Sequence, residues 1–192
     1  MPQRNMDDDL LDPAGGLLQA LADYRCRSLG EAAAVDGFIA LLDDAENSFA
    51  RERLGGHFTA SAWLLHADGL RVLLTHHRKL DRWLQLGGHA DGDNDLQRVA
   101  LKEAEEESGL TGLAVEPGIF DLDRHWIPRH DDVPAHWHYD VRFVVHAGEC
   151  DTLVVSDESH DLQWREIEAL IHDQHADPSL RRMAGKWLAR SS

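Results

Sequence analysis

Residues 87–110 read GGHADGDNDLQRVALKEAEEESGL, and the rest of the chain is organised around them. Leu96, Val99, Ala100 and Ala104 recur at three- and four-residue spacing, which predicts a helix with one apolar stripe. Glu103, Glu105, Glu106 and Glu107 crowd its last two turns, where the helix dipole favours cations. At about 100° per residue, Glu103 and Glu107 stack one turn apart with Glu106 beside them. Like charges so placed repel unless a cation lies between them, and hard divalent ions take oxygen ligands of this kind. Bound magnesium or manganese resolves the conflict, whereas a solvated acidic helix end is the plainer reading of a Glu run. This run, however, follows a glycine-rich turn and ends at Gly109, a natural residue for the position just past a helix.

Gly88, Glu103, Ala104, Glu106, Glu107, Gly109 and Leu110 stand in one register. In that register the stretch resembles the Nudix hydrolase signature. Asn94 departs from it where the family has Glu, and Lys102 where it has Arg. The resemblance implies an α/β fold, a Nudix-like α/β/α sandwich with a mixed β-sheet, at residues 55–192. Residues 1–54 are then an N-terminal helical extension. It also implies metal-dependent hydrolysis of the pyrophosphate bond in a nucleoside diphosphate derivative, by attack of water on phosphorus. Carried over position by position, Glu103 and Glu107 become metal ligands together with the Gly87 carbonyl. Glu106 ligates a second ion or orients metal-bound water, and Glu106 or Glu158 serves as general base. In the family the Arg braces the carboxylates, and Lys102 offers a compact ammonium in place of a planar fork.

The chain has 192 residues, enough for one well-buried domain plus an extension. Nineteen Lys and Arg against 35 Asp and Glu give a net charge of −16, which disfavours a long nucleic acid but leaves room for a small anion beside a metal. Cys26 and Cys150 form no CxxC pair and are expected as reduced, packed thiols. The N-terminus is acidic where a signal peptide would be basic, and no apolar run approaches membrane-spanning length, so a soluble cytoplasmic protein is expected.

Asp12-Pro13 marks a helix start, and Leu17, Leu18, Leu21 and Tyr24 give that helix an apolar face. Ser28 and Glu31 fit a capping box before a second helix through Val35, Phe38, Ile39 and Leu42. Two amphipathic helices must cover their own domain or the partner in a homodimer. Phe58–His66 and Leu70–Thr75 around Asp68-Gly69 predict a β-hairpin. The basic cluster from His76 to Lys79 is a loop whose Arg78 and Lys79 are candidates to face substrate phosphates. Asn94 with Gln97 fits a capping box at the start of the acidic helix. After a broken strand at 113–120, residues 121–134 show no helix or strand pattern. That loop, with Arg124, is the candidate for substrate selection.

His136–His146 alternates cleanly and is the clearest strand, with His136, His138, Asp140 and Arg142 on its polar face. These residues are expected to line the cleft or meet solvent, and His138 joins the substrate-binding candidates. A His-x-His pair also suggests zinc, although no third nitrogen or sulfur ligand has a recognisable spacing. Beyond it, 152–155 is a short strand, 156–163 a loop, and Trp164–Leu170 a helix or turn. A last helix is capped by Asp177.

Two other functions compete. A non-catalytic nucleotide-binding or regulatory module would tolerate the departures at Asn94 and Lys102, but a sensor need not keep three costly like charges. An isopentenyl diphosphate isomerase shares the fold, yet neither cysteine sits in a matching motif.

Overall fold

A computed structural model of the chain describes residues 13–44, 46–130, 133–148, 152–157 and 159–190. The elements run α1 (Pro13–Arg27), α2 (Ala32–Leu42), β1 (His57–Leu65), β2 (Arg71–His77), β3 (Arg82–Leu84) and β4 (Leu86–His89). They continue with α3 (Leu96–Ser108), β5 (Ala114–Val115), β6 (Asp121–Ile127), β7 (His136–His146), β8 (Ser159–Glu166), α4 (Ile167–His172) and α5 (Pro178–Arg190).

β1 is buried along its whole length because it lies between two helical layers. Phe58 and Ala60 pack with α1, α2 and α3, and Ala62 and Leu64 pack with Ala104 of α3. Trp63 and Leu65 point the other way, onto Ile167, Leu170, Leu180 and Met183 of α4 and α5. The result is an α/β/α sandwich around a mixed sheet. β1 runs parallel to β7 from His57↔His138 to Leu65↔His146, and antiparallel to β4 from Thr59↔His89 to Ala62↔Leu86. The predicted hairpin pairs only at Leu65↔Val72; β2 then leaves β1 to pair with β3 and β8. The splay admits β4 beside β1, and so brings the glycine pair against α3.

The N-terminal helices spend their apolar faces on this domain: Leu17, Leu21, Tyr24, Val35, Phe38 and Leu41 share one core with Phe58, Val141 and Phe143. Leu18 instead faces outward, 41 % exposed. The Ser28 capping box does not form, because Ser28 makes no side-chain cap. Its intended partner Glu31 accepts a hydrogen bond from Tyr24 and pairs with Lys186 of α5, 2.7 Å away. Cys26 is exposed rather than packed, and Asp12 and Cys150 lie outside the described residues.

The largest correction concerns 121–134. Residues 121–127 form β6, antiparallel to β7, not an unstructured loop. Its acids escaped a hydrophobic-pattern reading because they are buried by charge pairing: Asp121 and Asp123 lie 3.3 Å from the fully buried Arg142 of β7. Arg142 also reaches Asp140 at 2.7 Å, while Arg182 and Lys186 of α5 close on Asp121 at 2.7 and 2.6 Å. Asp140 and Arg142 therefore neither line a cleft nor meet solvent. At the other end, residues 152–156 form no strand, and β8 occupies 159–166 where a loop and a helix start were expected. Pairing with β2 holds it extended until α4 begins at Ile167. The Asp177 cap forms as read, accepting from the Ser179 N–H at 2.8 Å.

Candidate active site

Helix α3 starts one residue later than the Asn94 reading. Asp95 is the N-cap and accepts from the Arg98 N–H at 3.0 Å, while Gln97 turns away to donate to the Glu116 carbonyl. The cap moves because Asp93 first accepts from the Asp95 N–H at 2.9 Å, a local turn that carries the chain one residue further before it coils. At the far end Gly109 closes the helix in the left-handed conformation, φ 72°. A Cβ there would lie 2.6 Å from that of Val154, so no other residue fits.

Between these ends α3 lies against β4. Leu96, Val99, Ala100 and Ala104 are buried as the stripe requires, and Glu107 continues the stripe into the protein, 9 % exposed. Burying a carboxylate is costly without a donor. Glu107 has one in the Gly87 N–H, 2.8 Å from Oε1. Glu103 lies across the neighbouring glycine, where a Cβ on Gly88 would stand 2.5 Å from its Oε2. Gly88 thus lets the β4 backbone approach the Glu103 carboxylate, while Gly87 is required by β1, since a Cβ there would collide with Ser61 and the Ala60 carbonyl. Glu106 reaches outward, its side chain 59 % exposed, with Lys102 Nζ 3.1 Å from its Oε2 and 3.9 Å from Glu103 Oε1. The hydrogen bond to Glu106 holds the Lys102 ammonium above its usual pKa, so the lysine supplies a positive charge to this group.

The acids of the preceding loop play another part. Asp91 is gripped by the Arg51 fork and Asp93 by Arg98, and each carboxyl is held below its ordinary pKa first by that hydrogen bond. Both are engaged in fixing the loop. The fit to a divalent ion therefore rests on Glu103 and Glu107, hard oxygen donors against the glycine backbone, with Glu106 reaching outward beside them.

The substrate candidates are scattered. Arg78 and Lys79 occupy the exposed turn after β2, where Arg78 donates to the Ser159 carbonyl at 3.0 Å. Arg124 is on β6, past both β1 and β7 in the sheet, lying over the Trp137 ring at 4.4 Å. These cations form no single phosphate patch. Glu158 lies outside the described residues.

His138 has company that sequence reasoning missed. The β1–β7 register sets His57 beside it, and the β1–β4 register brings His89 across from Thr59. One ring nitrogen from each of His57, His89 and His138 lies within 4.8 Å of the others. His136 stacks on His57 at 4.9 Å and places Nε2 3.0 Å from His138 Nε2. Burial first, and then neighbouring positive charge, lowers the pKa of His89 to about 4 and that of His138 to about 2; His57 is lowered for the same leading reason. Only strand pairing could have revealed this group, since His57, His89 and His138 lie far apart in the sequence.

A NUDIX domain family model matches residues 56–185. Among solved structures of the same fold are a NUDIX family hydrolase from Clostridium perfringens and a C. elegans Ap4A hydrolase. The first is 22 % identical over 71 % of this chain and 98 % of its own, with TM-score 0.56. The second is 18 % identical over 70 % and 96 %, with TM-score 0.53. The NUDIX domain of Shewanella oneidensis NrtR, solved with ADP ribose, is 16 % identical over 80 % and 98 %, with TM-score 0.50. A comparison with curated proteins finds no match. With its glycine pair and three glutamates in register and a family match over most of its length, the chain belongs to the NUDIX domain family.

Proposed function

We propose that the protein hydrolyses the pyrophosphate bond of a small nucleoside diphosphate derivative, using divalent ions held at the end of α3. The observation that carries this reading is the anchoring of Glu107 on the Gly87 N–H with Glu103 packed across Gly88. A structural role does not explain two carboxylates drawn against one strand at the negative end of a helix. Glu103 and Glu107, with the Gly87 carbonyl, are the metal ligands in this reading. Magnesium, or manganese, when bound there neutralises the pyrophosphate and lowers the pKa of a coordinated water. Glu106, reaching into solvent, would orient the attacking water or accept its proton, and Glu158 is the alternative base. Lys102 balances part of the negative charge.

Arg78, Lys79, Arg124 and His138 remain candidates for substrate contacts. Their separation favours an extended substrate gripped at more than one place. Ap4A for one relative and ADP ribose for another, both small nucleotides with a phosphoanhydride, support the substrate class. The net charge of −16 disfavours a long nucleic acid partner. Among the described residues no helix is long and apolar enough to cross a membrane, and the reading places the protein in the cytoplasm. Residues 55–192 carry the hydrolase, with residues 1–54 as a helical support. A homodimer through that support would use surfaces other than its apolar faces, which already pack in this chain's own core.

A panel of nucleoside diphosphate derivatives incubated with magnesium tests the proposal. Wild type is expected to turn over at least one member, and Glu107→Gln to lose about 100-fold in rate. Tight binding without turnover of any member would support the regulatory module instead.

A further inference from the structure

We propose that His57, His89 and His138 form a second metal site, for one zinc-class transition ion, separate from the carboxylates of α3. The three rings come from three strands, β1, β4 and β7, and converge at one end of the sheet with ring nitrogens within 4.8 Å. Around tetrahedral zinc, with Zn–N of about 2.0–2.1 Å, adjacent nitrogens stand about 3.3 Å apart. Side-chain rotations that draw the rings in by roughly 1 Å complete the set.

The hydrogen bonds fix which nitrogens are offered. A carbonyl can only accept, so the His57 Nδ1, 3.3 Å from the Arg53 carbonyl, carries the proton, and its Nε2 is left with a lone pair. That Nε2 is buried and finds no hydrogen-bond partner among the described residues, on a residue only 1 % exposed. An orphaned buried acceptor is costly, and a metal ion would satisfy it. The same logic passes along the strand. His136 Nδ1 donates to the Pro134 carbonyl at 2.8 Å, so its Nε2 accepts from His138 Nε2 at 3.0 Å. His138 is then left with Nδ1 as its free lone pair. Carbonyl partners that set tautomer and ring orientation are what metal-binding histidines have around them.

The donor set is entirely imidazole, which suits zinc and its neighbours, whereas magnesium and manganese prefer the oxygen ligands of α3. The two sites also lie on opposite faces of β4. A Cβ on Gly88 points at Glu103, so the next side chain, His89, points away from α3, onto the face of His57 and His138. Three protein ligands leave the fourth position open to water or to a substrate oxygen.

Titration of the full-length, chelator-stripped protein with cobalt(II), a coloured stand-in for zinc, in excess magnesium tests this directly. One equivalent is expected to give the visible absorption of tetrahedral nitrogen coordination and to be displaced by one equivalent of zinc. His89→Ala, at a half-buried position that leaves the core intact, should weaken binding by about 100-fold or more. Glu107→Gln should leave it unchanged. On the wild-type protein, where no variant can misfold, zinc should shift the imidazole nitrogen resonances of His57, His89 and His138. Absence of a stoichiometric cobalt band, equal affinity in His89→Ala, or loss of binding in Glu107→Gln alone would overturn the site.

Discussion

Lys102 stands where the family signature has Arg, and it spans Glu106 and Glu103 with a single ammonium at 3.1 and 3.9 Å. An Arg fork could hold both carboxylates with directed hydrogen bonds. Lys102→Arg is therefore expected to raise turnover severalfold, and a fall in kcat would show that the lysine is the better brace in this chain. Gly88 makes the complementary point. Gly88→Ala places a methyl 2.5 Å from the Glu103 carboxylate, and displacing it by about 1 Å should cost on the order of 100-fold in kcat. Unchanged kinetics in that variant would mean Glu103 has no fixed catalytic position. The three glutamates and the glycines were legible in the sequence because one helix and one turn carry them. His57 and His89 were not, because only the pairing of distant strands brings them to His138.

Helix α3 shows how far periodicity reaches and where it stops. Its stripe and its glycine end follow from 3.6-residue spacing and from the need for positive φ at Gly109. The start was misplaced by one residue because Asn94, Asp93 and Asp95 are all capable caps, and the hydrogen bond from the Asp95 N–H to Asp93 decides among them. Asp95→Ala should thus lower stability by about 1 kcal/mol in urea unfolding, while Asn94→Ala should change it little. The opposite ranking would restore the earlier start. Strands β6 and β8 were misread for a shared reason: charged side chains in strands look like loops until their partners are known. In β6 those partners are Arg142, Arg182 and Lys186, and in β8 the pairing is with β2.

At the scale of the molecule, the sandwich is tied together on its α5 side by charge as well as by apolar contact. Burial alone would raise the Asp121 and Asp123 carboxyls. Around Asp121, Arg182, Arg142 and Lys186 outweigh it, and around Asp123, His125, Arg142 and Arg182 do, so both sit below the ordinary carboxylate value. Because the folded values are depressed, the unfolded chain binds more protons in acid. The contribution is complete above the ordinary value near 4 and is lost as pH falls below it. Arg142→Met should cost about 3–5 kcal/mol at neutral pH, since it leaves buried acids unpaired, and should flatten the acid limb of stability against pH. An unaltered acid limb would remove Arg142 from that account. This network was illegible in the sequence, whereas the layers it joins were foreshadowed by apolar spacing. The central claim is that three glutamates beside two glycines direct water at a phosphorus atom, and hydrolysis of a panel substrate in water labelled with heavy oxygen tests it most directly. With magnesium, mass spectrometry should find one labelled oxygen in a phosphate product, formed at a rate that collapses in Glu107→Gln; product formation undiminished in that variant, or phosphate without label, would contradict it.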